Sequence, residues 1–131
     1  MNIEKIVRKL EKLNYDLETR NNRIIVKLGY SHHAQIEINE NKIEIKDRLK
    51  NWNFLTGVVE MSLKSSIVFN TFLVLFSGIM FFLIHLKVES SYLNYLTILI
   101  FLIGIFWILL WTMYYLIKFE FFKNLIESIE D

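Results

Sequence analysis

Two long apolar runs in the second half of the chain constrain its fold most strongly. They cover Ile67–Leu86 and Leu93–Ile117, and neither contains Asp, Glu, Lys or Arg. About 20 helical residues cross the hydrocarbon core of a bilayer, where backbone amides must find their hydrogen-bond partners within the segment. A chain of 131 residues has too little other material to bury both runs in water. We therefore predict a transmembrane hairpin of two helices, 67–86 and 93–117.

The distribution of basic residues predicts how this hairpin is oriented. Five Lys and Arg residues flank its two open ends, whereas the turn between the runs carries only Lys87, which Glu89 balances. The five are Arg48, Lys50, Lys64, Lys118 and Lys123. Because basic residues are retained in the cytoplasm, we expect both termini to be cytoplasmic. The richness in Ile, Asn and Lys is typical of an AT-rich bacterial genome, so the expected location is the inner (cytoplasmic) membrane.

Aromatic residues cluster where this topology places the membrane surfaces. Trp and Tyr prefer the boundary between lipid and water. The expected anchors are Tyr92 and Tyr95 on the outer side, and Trp52, Phe54, Trp111, Tyr114 and Tyr115 on the inner side.

Small and polar residues near the middle of each run predict where the two helices touch. Ser77 and Gly78 in the first run and Gly104 in the second should meet at the same depth, because small residues allow helices to approach closely. Asn70 either forms a hydrogen bond to a neighbouring helix or has no specific role. The predicted helix-packing residues are therefore Ser77, Gly78, Gly104 and Asn70.

The first 50 residues have the pattern of a small α-β-β-β head on the cytoplasmic side, so the expected class is an α+β membrane protein. Asn2–Asn14 carries apolar residues at helical spacing, and three short segments alternate in the manner of strands. The strands are Arg23–Gly29, Ala34–Asn39 and Lys42–Lys46, with a tight turn at Glu40–Asn41. The helix should cover the apolar face of this antiparallel meander. The expected core side chains are Ile3, Ile6, Val7, Leu10, Leu13, Ile24, Val26, Leu28, Ile36, Ile38, Ile43 and Ile45.

Two stretches between helix and strand are assigned to turns. Asn14–Tyr15 and Asn21–Asn22 are turn-forming residues, and no strand is predicted between them.

The segment 51–66 connects the head to the first run and has two interpretations. Val58, Val59 and Leu63 have helical spacing, which is typical of an interfacial helix on the inner leaflet. Alternatively, Trp52 and Phe54 complete the core of the head. Gly57 is a candidate hinge.

The last segment, 118–131, predicts an amphipathic helix that continues from the second run on the cytoplasmic side. Its apolar stripe consists of Phe119, Phe122, Leu125, Ile126 and Ile129. This stripe can pack on the head, on lipid or on a second copy of the chain. Since the head alone has a small core, we expect the head, the segment 51–66 and this tail to form one unit.

The sequence offers little catalytic chemistry. His32 and His33 are adjacent, and adjacent residues in a strand point to opposite faces, so no metal site is predicted. The chain has no Cys and carries no glycine-rich phosphate loop. No catalytic, cofactor-binding or metal-binding residue is therefore predicted, and the chain is not expected to be an enzyme. A net charge of +1 gives no reason to expect a nucleic-acid partner.

These features favour a non-catalytic accessory or assembly subunit of a larger bacterial membrane complex. Its expected partners are the lipid bilayer and either a partner protein or a second copy of the chain. The first alternative is a membrane-perturbing effector or toxin of the phage-defence or toxin–antitoxin type, which oligomerises in the inner membrane. The second alternative is a small channel or transporter. Both spans lack a polar stripe that could line water, which disfavours the two alternatives.

Overall fold

The chain folds into an α+β head followed by two long helices. The computed structural model describes residues 3–21, 23–39 and 42–130. Its elements are α1 (Ile3–Lys12), β1 (Asp16–Arg20), β2 (Arg23–Gly29), β3 (His32–Asn39), β4 (Lys42–Leu49), α2 (Leu63–His85) and α3 (Ser91–Glu130). The strands form one antiparallel sheet in the order β1-β2-β3-β4. We call α1 and this sheet the head.

Helix α1 lies over the sheet, as the spacing of its apolar residues predicts. Ile6 and Leu10 are fully buried in the core of the head. The helix ends at Lys12, and Asn14 has φ 59°, a left-handed conformation that commonly follows a helix end. Leu13, which was predicted to lie in the core, is therefore turned away from the sheet and is 48% exposed.

Strand β1 is the element that the sequence prediction missed. Asp16–Arg20 contains one apolar residue, Leu17, and four polar ones, so it shows no apolar alternation. It is an edge strand, and its pairing with β2 runs from Asp16 opposite Lys27 to Arg20 opposite Arg23. Backbone pairing with a neighbour, rather than burial of its own side chains, makes this segment a strand.

The other three strands confirm the predicted meander and extend it. One apolar row crosses the sheet through the paired residues Ile24, Ile36 and Ile45, of which the first two are fully buried and the third is partly buried. The chain turns between β2 and β3 at Tyr30 and Ser31, which both have positive φ. Strand β3 begins at His32 and β4 ends at Leu49, both beyond the predicted ends, because these two residues also pair. The predicted turn at Glu40–Asn41 and the residues Met1, Asn2, Asn22 and Asp131 lie outside the described residues.

Helices α2 and α3 are long and apolar enough to cross a membrane. They contain candidate spans of 23 and 39 residues. At about 1.5 Å per residue, each exceeds the roughly 30 Å hydrocarbon core of a bilayer. Of the residues in their most apolar windows, only 6% and 0% are buried within the protein. Both helices therefore expose their apolar side chains instead of forming a covered core.

Helix α3 is continuous from Ser91 to Glu130, so the predicted second run and the predicted tail are one helix. Its last turns pack on the head. Phe122, Ile126 and Ile129 are buried in the same cluster as α1 and strands β2 and β3. Of the three possibilities left open by the sequence, packing on the head is the one that the structure shows.

The contact between α2 and α3 differs from the predicted one. A side chain added at Gly78 would place its Cβ 3.4 Å from Cζ of Phe101, whereas at Gly104 no atom lies within 4 Å. Gly104 is thus not a point of close contact with α2, although it lines the same small cavity as Ser77. Instead, the rings of Phe81 and Phe101 meet edge to face at 5.3 Å and occupy the space between the helices. Ser77 is half-buried and bonds within its own helix, to the carbonyl of Val74.

Candidate functional site: the junction between the head and the long helices

Buried polar side chains and aromatic rings concentrate where one end of the sheet meets α2 and α3. We call this region the junction: Leu28–His32, the segment Asp47–Ser62, the first two turns of α2 (Leu63–Asn70), and Trp107–Phe119 of α3. It has its own small core, separate from that of the head. The buried members of this core are Leu49, Leu55, Leu63 and Tyr115.

The segment between β4 and α2 is an ordered loop and not the predicted interfacial helix. Asn51 and Gly57 have φ 56° and 63°, which a helix cannot accommodate, and Val58 is 77% exposed. Helix α2 begins only at Leu63, where the Ser62 hydroxyl accepts a hydrogen bond from a backbone N–H of the first turn. The helical spacing of the apolar residues in this segment was therefore misleading.

Asn53 organises this loop. Its side chain is almost fully buried, and its Oδ1 accepts hydrogen bonds from the backbone N–H groups of Leu55 at 3.0 Å and Thr56 at 2.8 Å. Its Nδ2 donates to the carbonyl of Gly57 at 3.1 Å. An Asn side chain that replaces backbone partners in this way stabilises a turn. Gly57 closes the turn in a left-handed conformation that favours glycine.

Asn70 joins the loop to α2. Its Nδ2 donates to the carbonyl of Leu55 at 3.1 Å and to the carbonyl of Ser66, in its own helix, at 2.9 Å. Asn70 therefore holds the loop against α2, which matches neither of the two roles considered from the sequence. The Asn70 side chain is only 4% exposed. Burying its amide without these two hydrogen bonds would cost free energy.

Asp47 and His32 connect the sheet to α2. Asp47 Oδ2 accepts a hydrogen bond of 2.6 Å from the backbone N–H of Leu63, at the first residue of α2. A carboxylate is well suited to this position, because helix N-termini carry partial positive charge. His32 Nε2 lies 3.5 Å from the same oxygen, and its ring contacts the rings of Tyr115 and Phe119 at 5.3 and 5.9 Å. Neither ring nitrogen of His32 has a hydrogen-bond partner within the described part of the chain.

His33 lies on the opposite face of the sheet, as strand geometry predicts. It pairs with Lys27 on one side and Arg48 on the other. Burial lowers the pKa of the His33 imidazole, and the positive charge of Lys50 lowers it further. The two histidines therefore cannot share an ion, and the described residues contain no group of three His, Cys, Asp or Glu that could hold a metal.

Tyr115 and Lys118 attach α3 to the end of β2. The hydroxyl of Tyr115 donates a 2.9 Å hydrogen bond to the carbonyl of Tyr30, and Lys118 Nζ donates to the carbonyl of Leu28 at 3.4 Å. The same Nζ lies 5.1 Å from the centre of the Tyr114 ring. Tyr115 is fully buried, so its predicted role as an exposed membrane-interface anchor is wrong.

The remaining predicted anchors separate into two groups. Phe54 stacks on Trp111 with ring centres 3.8 Å apart and planes 8° apart, and its carbonyl accepts a bond from Trp107 Nε1. Phe54 thus completes the core of the junction, whereas Trp52 packs on Phe54 edge to face and stays mostly exposed. Tyr114 is half-buried, also within the junction. Tyr92 and Tyr95 are exposed at the opposite end of the hairpin.

Comparisons with known proteins give no family for this chain. No protein-family model, no curated protein and no solved structure matches it.

The sequence singled out five aromatic residues of the junction, as membrane-interface anchors, but missed three other members. The five are Trp52, Phe54, Trp111, Tyr114 and Tyr115. Asp47, Asn53 and Tyr30 act through contacts with residues distant in the sequence, or through loop geometry. The only local signal was an Asn followed four residues later by Gly, a combination typical of turns.

The hydrogen bond from Tyr115 to Tyr30 gives the first testable prediction. Tyr115→Phe should lower the free energy of unfolding by about 0.5–1.5 kcal/mol, because a carbonyl near the core loses its donor. Tyr114→Phe is the matched control, since no hydrogen bond is present at its hydroxyl in the described residues. Thermal unfolding in detergent, followed by circular dichroism, measures the difference. Equal melting temperatures for the two variants would contradict the assigned bond.

Proposed function

We propose that the protein is a non-catalytic small integral membrane protein, which serves as an accessory or assembly subunit of a larger bacterial membrane complex. In this proposal α2 and α3 cross the inner membrane as a hairpin. The head lies in the cytoplasm against the membrane surface and presents its sheet to a partner protein.

The core shared by the head and α3 is the observation that carries this proposal. Phe122, Ile126 and Ile129 of α3 complete the core of the head, so the head cannot swing freely on a linker. A partner that binds the head is thereby held at a fixed position relative to the hairpin. Such rigid attachment is useful to a subunit that positions other proteins.

The face of the sheet away from the core is a suitable docking surface for a partner. It is solvated and carries paired charges: Glu37 forms ion pairs with Arg23 at 3.1 Å and with Lys46 at 3.3 Å. The hydrogen bond from Lys46 is the main reason that the pKa of Glu37 is lowered. Glu37 therefore stays ionised near neutral pH, and this face keeps the mixed charge that a partner with complementary charges would recognise.

The use of polar groups at the junction supports a non-catalytic role. The side chains of Asp47, Asn70 and Tyr115 each form a hydrogen bond with the backbone of another segment, and that of Asn53 bonds the backbone of its own loop. These groups hold loops and helix ends in place. A catalytic group, in contrast, has to meet a substrate.

The proposed topology predicts opposite labelling of two engineered cysteines. Ser90→Cys lies in the connection between α2 and α3, and Thr19→Cys lies on the exposed edge strand β1. The natural chain has no Cys, so the background is zero. In whole cells a membrane-impermeant maleimide should label position 90 only, and position 19 should react only after the membrane is opened. Labelling of both positions from outside would contradict the topology.

The functional proposal predicts that expression leaves the membrane intact. Neither apolar run carries Asp, Glu, Lys or Arg, and His85 lies at the very end of the first run, so the middle of the hairpin offers no charged path for ions. Expression from an inducible promoter in a bacterial host should therefore change neither growth nor the membrane potential measured with a potential-sensitive dye. A pore-forming toxin expressed to the same level is the positive control. Growth arrest with depolarisation would contradict the accessory role and favour the membrane-perturbing effector.

A further inference from the structure

An open groove between α2 and α3 overlaps the junction at its end nearest the head. Its lining is mostly apolar, with Asn70, Thr71 and Thr112 as polar members, and it has a volume of about 260 Å³. Its lining on α2 runs from Ile67 to Leu75, which corresponds to about 12 Å along the helix axis. The groove therefore begins near the head and extends towards the middle of the hairpin.

A lysine stands at the end of this groove that lies nearest the head. Lys64 precedes Ile67 by three residues and Thr71 by seven, so all three lie on one face of α2. The Lys64 side chain is exposed and has no ion-pair partner in the part of the chain that the structure describes. The nearby carboxylate of Glu60 accepts a hydrogen bond from the backbone of Asn51. Lys64 is thus a cation available to a ligand at the mouth of an apolar groove.

We propose that this groove binds one anionic phospholipid, with an acyl chain along α2 and the phosphate at Lys64. The proposal rests on the membrane placement given under Proposed function, because lipid reaches the groove only there. The cation and the apolar surface follow each other in a fixed order along the groove. The cation lies at the end nearest the head, and the apolar lining continues deeper along the helices. A lipid of the leaflet next to the head has the same order, from charged headgroup to hydrocarbon chain.

Charge favours an anionic headgroup over a neutral one. Residues 1–64 contain twelve Lys and Arg against nine Asp and Glu, and basic segments beside a membrane attract anionic lipid.

The experiment measures which lipids stay bound to the full chain. The protein is reconstituted into vesicles of phosphatidylcholine with a minor fraction of phosphatidylglycerol, then released in mild detergent for native mass spectrometry. The parent should retain one phosphatidylglycerol molecule in preference to phosphatidylcholine. Lys64→Gln should reduce this preference about fivefold, as expected for one basic residue near an anionic surface. Lys87→Gln, at the opposite end of the hairpin, is the matched control and should leave the preference unchanged.

A second pair of variants tests the groove itself. Thr71→Phe should fill the groove and abolish retention of both lipids. Thr97→Phe is its matched control, because both threonines bond a carbonyl of their own helix and Thr97 lies outside this groove. Thr71→Phe also leaves the charge at Lys64 in place. It therefore separates filling of the groove from loss of the cation.

Three results would overturn the lipid site. One is equal retention in the parent, Lys64→Gln and Thr71→Phe, and another is an equal loss in Lys64→Gln and Lys87→Gln. The third is a dimer that Thr71→Phe converts to a monomer without loss of phosphatidylglycerol, which would assign the groove to a second copy of the chain. In each case the protein still enters the vesicle, so the proposed membrane placement stands. A protein that does not enter vesicles at all would overturn both proposals.

Discussion

The structure depends on one constraint: the apolar face of the small sheet must be covered. Helix α1 has ten residues and supplies Ile6 and Leu10 to the core, which leaves part of the sheet without a cover. The last turns of α3 supply the rest through Phe122, Ile126 and Ile129. Burying each such side chain contributes about 1.5–3 kcal/mol. The net folding stability of a head of about fifty residues is small, so the burial of these side chains supplies a large share of it.

This shared core explains why the junction is built from directed polar contacts. Once α3 covers the sheet, its position along β2 is fixed, and the hydrogen bond from Tyr115 to Tyr30 maintains that register. Helix α2 has a smaller apolar contact with the sheet, through Leu63 and Leu49 in the core of the junction. Asp47 and Asn70 add hydrogen bonds, one to the first backbone N–H of the helix and the other to the loop. Both long helices are therefore joined to the head by apolar packing together with hydrogen bonds.

The sequence predicted the elements whose side chains carry their own signal. Strand β2 was predicted with correct bounds because Ile24, Val26 and Leu28 alternate with more exposed residues. Strand β1 was missed because pairing with β2, and not burial, makes it a strand.

The sequence indicated which types of residue concentrate at the junction, but not the contacts that they form there. A concentration of Trp, Phe and Tyr indicated an interface, but the contacts among them join segments far apart in the sequence. His32 and Asp47 are fifteen residues apart in sequence and meet only because β3 and β4 pair. The close contact predicted at Gly104 is absent for a related reason: the sequence does not show which residues of α2 face Gly104, and the rings of Phe81 and Phe101 meet nearby instead.

Hydrogen exchange at the backbone amides of β2, in the full-length protein, tests most directly whether α3 completes the head. Phe122 is fully buried against the sheet, whereas its neighbour Phe121 is 66% exposed. Phe122→Ala should lower the opening free energy of β2 by about 3–5 kcal/mol, and Phe121→Ala should leave it unchanged. Equal protection of β2 in the two variants would show that the head is stable without α3 and would contradict this account.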